Sequence, residues 1–421
     1  MPSRWKWLLI HYGRQLWVRA LLFALVGLLS ALAAAVISPI VPAGWAAAVG
    51  ADSLDNILGI LASSLLAVAT FSLSTMVAAY GSASSGTTPR VVQLLMADSR
   101  VQNAIATFIG GFLFSLVAII ALATGLYGED GRIVLFAVTI VVAALIVITF
   151  IRSIEHVSRL GRVSDAIDRV AATAIRVLSE RRADPWLGGQ PRGGRLRPGF
   201  PLFTDRIGHV QHLDMAALQA VAAAADGEVH VEALPGKFID PSRPIAWTSF
   251  APDDAARDRL RDAFTIDRHR SYDQDPRFGV VVLAEIGAKA LSTGINDTGT
   301  AIEVLSALVR VLAAWLAPVD QPEVRFDRVF LPEVAVEDLF EDAFYAIGHD
   351  GAAALPVGIK LQKTLAILGR LGDDRAVAAA RHQSHLALAR AKLVLRLPDD
   401  VERLAATAVE LRQPAVRTAS S

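Results

Sequence analysis

Four stretches of this chain contain no Asp, Glu, Lys or Arg: 20–51, 56–89, 101–128 and 133–151. A helix of about 20 apolar residues crosses the hydrocarbon core of a bilayer. Each stretch therefore holds one span, near 20–38, 57–80, 104–126 and 133–151. With 53% hydrophobic and 19% charged residues and a mean hydropathy of +0.44, the chain is too apolar for an ordinary soluble protein. The first span is expected to be retained: the apolar run at 17–37 is long for a cleaved signal, and Pro39 and Pro42 stand where small cleavage-site residues would be needed.

Basic residues set the orientation. Arg4, Lys6, Arg14 and Arg19 precede the first span, Arg90 and Arg100 lie between the second and third, and Arg152, Arg159 and Arg162 follow the fourth. The other two loops carry Asp52 and Asp55, then Glu129, Asp130 and Arg132. Both termini are expected to be cytoplasmic. Trp5, Trp7, Tyr12 and Trp17 suit an interfacial aromatic belt before the first span.

Residues 1–152 thus read as a membrane domain, and charge returns beyond them. Residues 153–185 alternate charged and apolar positions at helical spacing and are expected to continue the fourth span as a stalk. A Gly/Pro/Arg-rich linker is expected at 186–204. Residues 205–421 read as a mixed domain, with strands at 209–212, 228–234, 237–239, 245–248 and 324–330. Its helices are expected at 214–225, 253–264, 279–292, 298–316, 336–346, 356–371, 375–396 and 399–411. The fold class that follows is an α-helical membrane bundle of four transmembrane helices plus a cytoplasmic α+β domain.

Two segments carry a family resemblance: ATFSLSTMVAAYGSASSGTTPRVVQLLMAD at 69–98, and HRSYDQDPRFGVVVLAEIGAKALSTGINDTGTAIEVL at 269–305. The chain resembles the DUF2254 family of predicted bacterial membrane proteins through both, in the same order. This chain has Thr293 and Thr298 where the family pattern often carries proline. The resemblance implies four membrane helices, a cytoplasmic domain and a bacterial cytoplasmic (inner, plasma) membrane, and it implies no reaction.

The second span is rich in hydroxyls. At 100° per residue Ser63, Thr70, Ser74, Gly81 and Ser85 fall within an arc of about 60°, with Thr75 beside them. Two readings stay open. Small and hydroxyl residues let membrane helices approach closely, as Ala106, Gly110, Gly111 and Ser115 would on the third span. The same stripe could instead line a hydrated path. Proton-coupled transport is disfavoured because the spans hold no Asp, Glu, His or Lys. At the end of this span, Thr87, Thr88 and Arg90 are candidates for an anion or phosphate site. Pro89 begins a new helix there, and Thr88 is placed to cap it.

In the soluble part the ligand-site candidates are Arg270, Asp273, Asp275, Asn296 and Asp297; ion pairing and helix capping are the competing account. Asp273 and Asp275 lack the spacing of a calcium loop, and the histidines at 209, 212 and 230 read as surface or interface residues. No metal or cofactor is expected. Equal numbers of basic and acidic residues, 41 each, give no global field toward nucleic acid, and the absence of cysteine removes thiolate chemistry. No catalytic constellation is legible, so an enzyme is not expected. The expected partners are the lipid bilayer, further copies of the chain and an inorganic ion. The expected function is an oligomeric, gradient-driven ion channel with a cytoplasmic regulatory or assembly domain; the alternative is a membrane-anchored sensor or scaffold.

Overall fold

A computed structural model describes residues 18, 20–26, 28, 29, 51–96, 99–125, 129–157, 161–194, 199–319 and 321–408. The chain is mostly helical, and its described residues divide into two compact units, one within 18–162 and the other within 163–408.

In the membrane unit, helix α1 (Ala51–Gly86) is followed by the short α2 (Pro89–Met96), then α3 (Ser99–Ala123) and α4 (Glu129–Val157). Within them Ser53–Gly86, Arg100–Ala123 and Gly131–Ser153 are long and apolar enough to cross a bilayer, and they contain the second to fourth expected spans, apart from residues 124–126. The first expected span lies mostly outside the described residues; 20–26, 28 and 29 are helical. At 1.5 Å per residue, the 34 residues of Ser53–Gly86 extend about 50 Å, well beyond a ~30 Å hydrocarbon layer.

Helix α3 is the centre of this unit. Phe108, Phe114, Ala106, Ala118 and Ser115 on it are almost wholly buried. A Cβ added at Gly110 would lie 2.8 Å from the carbonyl oxygen of Phe23, and one at Gly111 would lie 2.9 Å from side-chain atoms of Leu65 and Ile146. The small residues of the third span therefore allow close helix approach, as the packing reading requires.

Helix α4 does not run on as a stalk. It ends at Val157, Gly161 takes a left-handed φ of +87°, and a new helix, α5 (Val163–Ala183), starts afresh. Its buried face, which includes Ile167, Val170, Ala174, Val177 and Leu178, is part of the core of the second unit. The segment expected as a linker contributes two short strands, β1 (Gln190–Pro191) and β2 (Phe200–Leu202), with residues 195–198 outside the described set.

Next come β3 (Gly208–Leu213), α6 (Met215–Ala224), β4 (Val229–Val231), β5 (Phe238–Ile239) and β6 (Ala246–Thr248). They are followed by α7 (Asp254–Asp262), β7 (Phe264–Asp267), α8 (Phe278–Ala290) and α9 (Thr298–Leu316). The described chain closes with β8 (Val329–Leu331), α10 (Val336–Asp350), α11 (Leu355–Leu371), α12 (Asp374–Val394) and α13 (Pro398–Ala408). Residues 409–411 of the last expected helix lie outside the described set. Aspartates set several of these starts: Asp214, Asp253, Asp297 and Asp373 each accept a hydrogen bond from the backbone N–H three residues on.

The strands form two small sheets. One has the order β1-β8-β4-β6-β2, parallel across β1-β8-β4 and antiparallel across β4-β6-β2; the other is the antiparallel trio β5-β3-β7, bulged between Val210 and His212. The strand expected at 324–330 shrinks to Val329–Leu331, paired in parallel with β4.

Helix α9 is also long and apolar enough to span a membrane. It buries Val304, Leu305, Leu308, Val311 and Leu312 against α5, α8 and α11 instead, while Glu303 accepts from Ser164 and Arg310 pairs with Asp168. It is a core helix of the second unit.

Candidate functional site

Among the described residues, the hydroxyl stripe of α1 lies on the side of the helix that is not packed. Ser63, Thr70, Ser74, Gly81 and Ser85 are exposed and Thr75 is half-buried, whereas Leu58, Leu65, Ala69 and Met76 of the same helix are buried. A Cβ at Gly81 would meet nothing within 4 Å. The hydroxyl protons stay local: Thr70, Ser74 and Thr75 donate to the carbonyls of Leu66, Thr70 and Phe71, at 2.8–3.0 Å, and Ser63 and Ser85 donate to Gly59 and Ser82, both at 2.9 Å. With protons committed to their own helix, these hydroxyls present acceptor lone pairs outward.

At the end of α1, Pro89 begins α2, as expected. Thr87 donates to the carbonyl of Ala83 and is fully buried, the Thr88 hydroxyl is buried without a hydrogen-bond partner among the described residues, and Arg90 is exposed. The three residues do not present one open surface.

The five candidates of the second unit separate into two places. Asp297 caps α9: its carboxylate accepts from the Thr300 backbone N–H at 3.0 Å and the Thr300 hydroxyl at 2.6 Å. Those bonds hold its pKa below the ordinary carboxylate value. Asn296 beside it takes the left-handed conformation at φ +53°. This pair is the start of a helix. Arg270 and Asp275, in contrast, line a cavity of about 430 Å³, and Asp273 does not.

That cavity gathers residues from distant parts of the chain. Arg181 comes from the last turn of α5, Glu232 and Leu234 to Lys237 from the turn after β4, Arg270 and Asp275 to Arg277 from the approach to α8, Pro332 to Val334 from the segment between β8 and α10, and Asp338 from the first turn of α10. Asp275 organises one wall and is 2% exposed. One of its oxygens accepts from Arg270 Nε at 2.7 Å and the other from the Arg277 backbone N–H at 3.0 Å. The Arg270 guanidinium also stands 5.1 Å from the centroid of the Phe278 ring. Arg277 reaches across to Asp338 and Asp342, both at 2.6 Å.

Every carboxylate lining the cavity is engaged by an arginine. Glu232 is held by Arg192 at 2.7 Å, Asp275 by Arg270, Glu333 by Arg375 at 3.0 Å and Asp338 by Arg277. Two lining cations have no carboxylate within ion-pair distance among the described residues. Lys237 donates from Nζ to the Glu232 carbonyl at 3.1 Å. Arg181 is 3% exposed, donates from Nη2 to the Gln274 carbonyl at 2.9 Å, and leaves Nη1 without a partner. Burial lowers its pKa to about 10, against the opposing fields of Asp275 and Asp184. An arginine nearly removed from water without a paired carboxylate is costly, and few folds keep one.

Sequence reading missed Arg181, placing it in a stalk. A signal was present: Ala174, Val177, Leu178 and Arg181 recur at three- and four-residue spacing, so the arginine sits on the apolar face of its helix. The histidines also differ from expectation. His212 is fully buried, and His230 is buried, stacked 4.8 Å from the Phe330 ring with Nε2 3.0 Å from Glu228. Among the described residues no group of His, Asp and Glu is arranged to hold a metal.

Among the described residues, three helices of the first unit are long and apolar enough to cross a bilayer, which marks an integral membrane protein, and the charged cavity lies within the second unit. The chain belongs to the family described as predicted membrane protein (DUF2254), whose pattern matches residues 13–367. It is similar to uncharacterized proteins of Mycobacterium bovis and Mycobacterium tuberculosis, 31% identical over 137 residues, which is 30% of this chain and 26% of each of theirs. The chain thus spans about a quarter of the length of those relatives. No solved structure matches it.

Proposed function

We propose that several copies of this protein surround a gradient-driven path for a small ion, bordered by the hydroxyl face of α1, with the second unit on the cytoplasmic side as the regulatory or assembly module. The observation that carries this reading is the outward aim of the stripe: Ser63, Thr70 and Ser74 are exposed on a helix whose opposite face is packed inside the subunit. Among the described residues nothing covers that face, and a second copy would cover it. The outward lone pairs suit water or a cation, for which hydroxyl and carbonyl oxygens replace part of the hydration shell. The spans contribute no ionisable group for proton coupling, so transport runs down a gradient, and the protein is not an enzyme.

The test is ion flux through reconstituted vesicles. Wild type should conduct, and Thr70→Leu and Ser74→Leu, folded by circular dichroism, should not. Absence of flux in wild type with sodium, potassium and chloride salts would remove the conduction reading. A second reading, a membrane-anchored sensor, is favoured by one observation: each hydroxyl of the stripe already has an acceptor in its own helix. Such a helix can face lipid at little cost.

A further inference from the structure

We propose that the cavity floored by Arg181 is a binding site for a small organic anion, a carboxylate or phosphate ester carrying a short apolar body. The site lies wholly within residues 181–338 and does not rest on conduction by the membrane unit.

Three observations converge. First, each lining carboxylate is engaged by an arginine, while Arg181 and Lys237 have no carboxylate within ion-pair distance among the described residues, so the donors left open at the cavity belong to cations. The further carboxylates in this network, Asp342 and Glu337, pair with Arg277 and Arg375 but do not line the cavity. Second, Arg181 is held in place before any ligand arrives. Gln274 accepts its Nη2 through the main chain and, through its side-chain oxygen, accepts the Leu213 backbone N–H at 3.0 Å. That leaves Nη1, one of the two donors of a guanidinium fork, buried and unpaired in a side chain that lines the cavity; a carboxylate or phosphoryl oxygen is the partner such a fork fits. Third, the volume of about 430 Å³ falls in the range of small-molecule sites and is too large for bare phosphate. Leu234, Pro235, Pro276, Pro332 and Val334 provide apolar wall. The anionic head belongs toward Arg181 and Lys237, and the apolar body between the prolines.

The cost of burying Arg181 unpaired is itself a signature. A charge left without a partner weakens the free protein, and a ligand that supplies the partner recovers that loss as affinity. Without an anion bound, the protein is therefore expected to be under-stabilised at Arg181.

Calorimetric titration of the full-length protein in detergent tests this with four probes: phenyl phosphate, hexanoate, inorganic phosphate and uncharged benzyl alcohol. At least one organic anion should bind saturably, about tenfold or more tighter than inorganic phosphate, and benzyl alcohol should not bind saturably. Arg181→Met should weaken that anion by about tenfold or more while melting no lower than wild type in its absence. Leu234→Trp, which fills the cavity and keeps Arg181, should abolish binding with an unchanged circular dichroism spectrum. If neither organic anion outbinds inorganic phosphate, or if folded Leu234→Trp binds as wild type does, the proposal is overturned. Should Arg181→Met fail to fold, Leu234→Trp carries the decision alone.

Discussion

The α-carbon of Gly236 lies directly against the carboxylate of Asp275: a Cβ added there would overlap all three carboxyl atoms. Gly236 also takes φ +94°, a conformation L side chains rarely adopt, and its N–H donates to the Val210 carbonyl at 2.8 Å. The Pro235-Gly236 turn thus fixes where Asp275 stands, and Asp275 fixes Arg270. Gly236→Ala should destabilise the protein by at least ~1 kcal/mol, since strain and overlap add. It should also weaken any ligand of the cavity, because Asp275 must move. Thermal unfolding and the titration described above read both effects; an unchanged Tm with unchanged binding would mean the turn does not control the carboxylate.

At the start of α9, Asp297→Ala removes a side-chain cap and should cost about 1 kcal/mol at neutral pH. The sign with pH follows from the depressed pKa. Since the folded-state value lies below the ordinary 3.8, the cap's contribution is present above that pH and is lost as pH falls below it. The Tm gap between wild type and variant should therefore close in acid. A gap that is constant from pH 7 to about pH 3 would assign the effect to something other than the carboxylate.

Between α11 and α12, Gln362 and Ser384 are buried and satisfy each other: the Ser384 hydroxyl donates to Gln362 Oε1, and Gln362 Nε2 donates to the Ser384 carbonyl at 3.1 Å. Ser384→Ala strands a buried amide oxygen and should cost about 1–3 kcal/mol. Replacing both partners, Gln362→Leu with Ser384→Ala, should cost less than the sum of the two single changes. Chemical unfolding of the three variants measures this difference.

Two glycines of the membrane unit should behave oppositely. Gly110→Leu drives a side chain into the backbone at Phe23 and should lower the Tm in detergent, with a cost of about 1–3 kcal/mol. Gly81→Leu meets open space in the subunit and should leave the unfolding of the separated subunit unchanged. If copies meet along the stripe, Gly81→Leu should instead disturb the oligomer, which light scattering in mild detergent would report.

Much of the fold was legible where one physical signal was local and strong. Charge-free runs located the spans corresponding to α1, α3 and α4, and Asp297 marked the start of α9. Strands of two or three residues were not legible. Gln190–Pro191 and Phe200–Leu202 lie in a Gly/Pro/Arg-rich segment whose local preferences favour turns, and their pairing with β8 and β6 is decided by residues far along the chain. The stalk failed because charged and apolar alternation at helical spacing describes any amphipathic helix, whether free or packed. The cavity was half visible: Arg270 and Asp275 are neighbours in sequence, but Arg181, Lys237 and Glu333 join them only through the fold.

The measurement that bears most directly on the central claim uses the chain's lack of cysteine. Thr70→Cys and Ser74→Cys place single thiols on the stripe, and Leu73→Cys, 44% exposed and off the stripe on the side away from Thr75, serves as a lipid-facing control. A charged, membrane-impermeant methanethiosulfonate reagent is applied to reconstituted vesicles while ion flux is recorded. The account predicts that the cysteines at 70 and 74 react and that flux falls, while the cysteine at 73 stays unmodified. Unreactive thiols at 70 and 74 in protein that still conducts would show that water does not border this helix, and the path would have to be placed elsewhere.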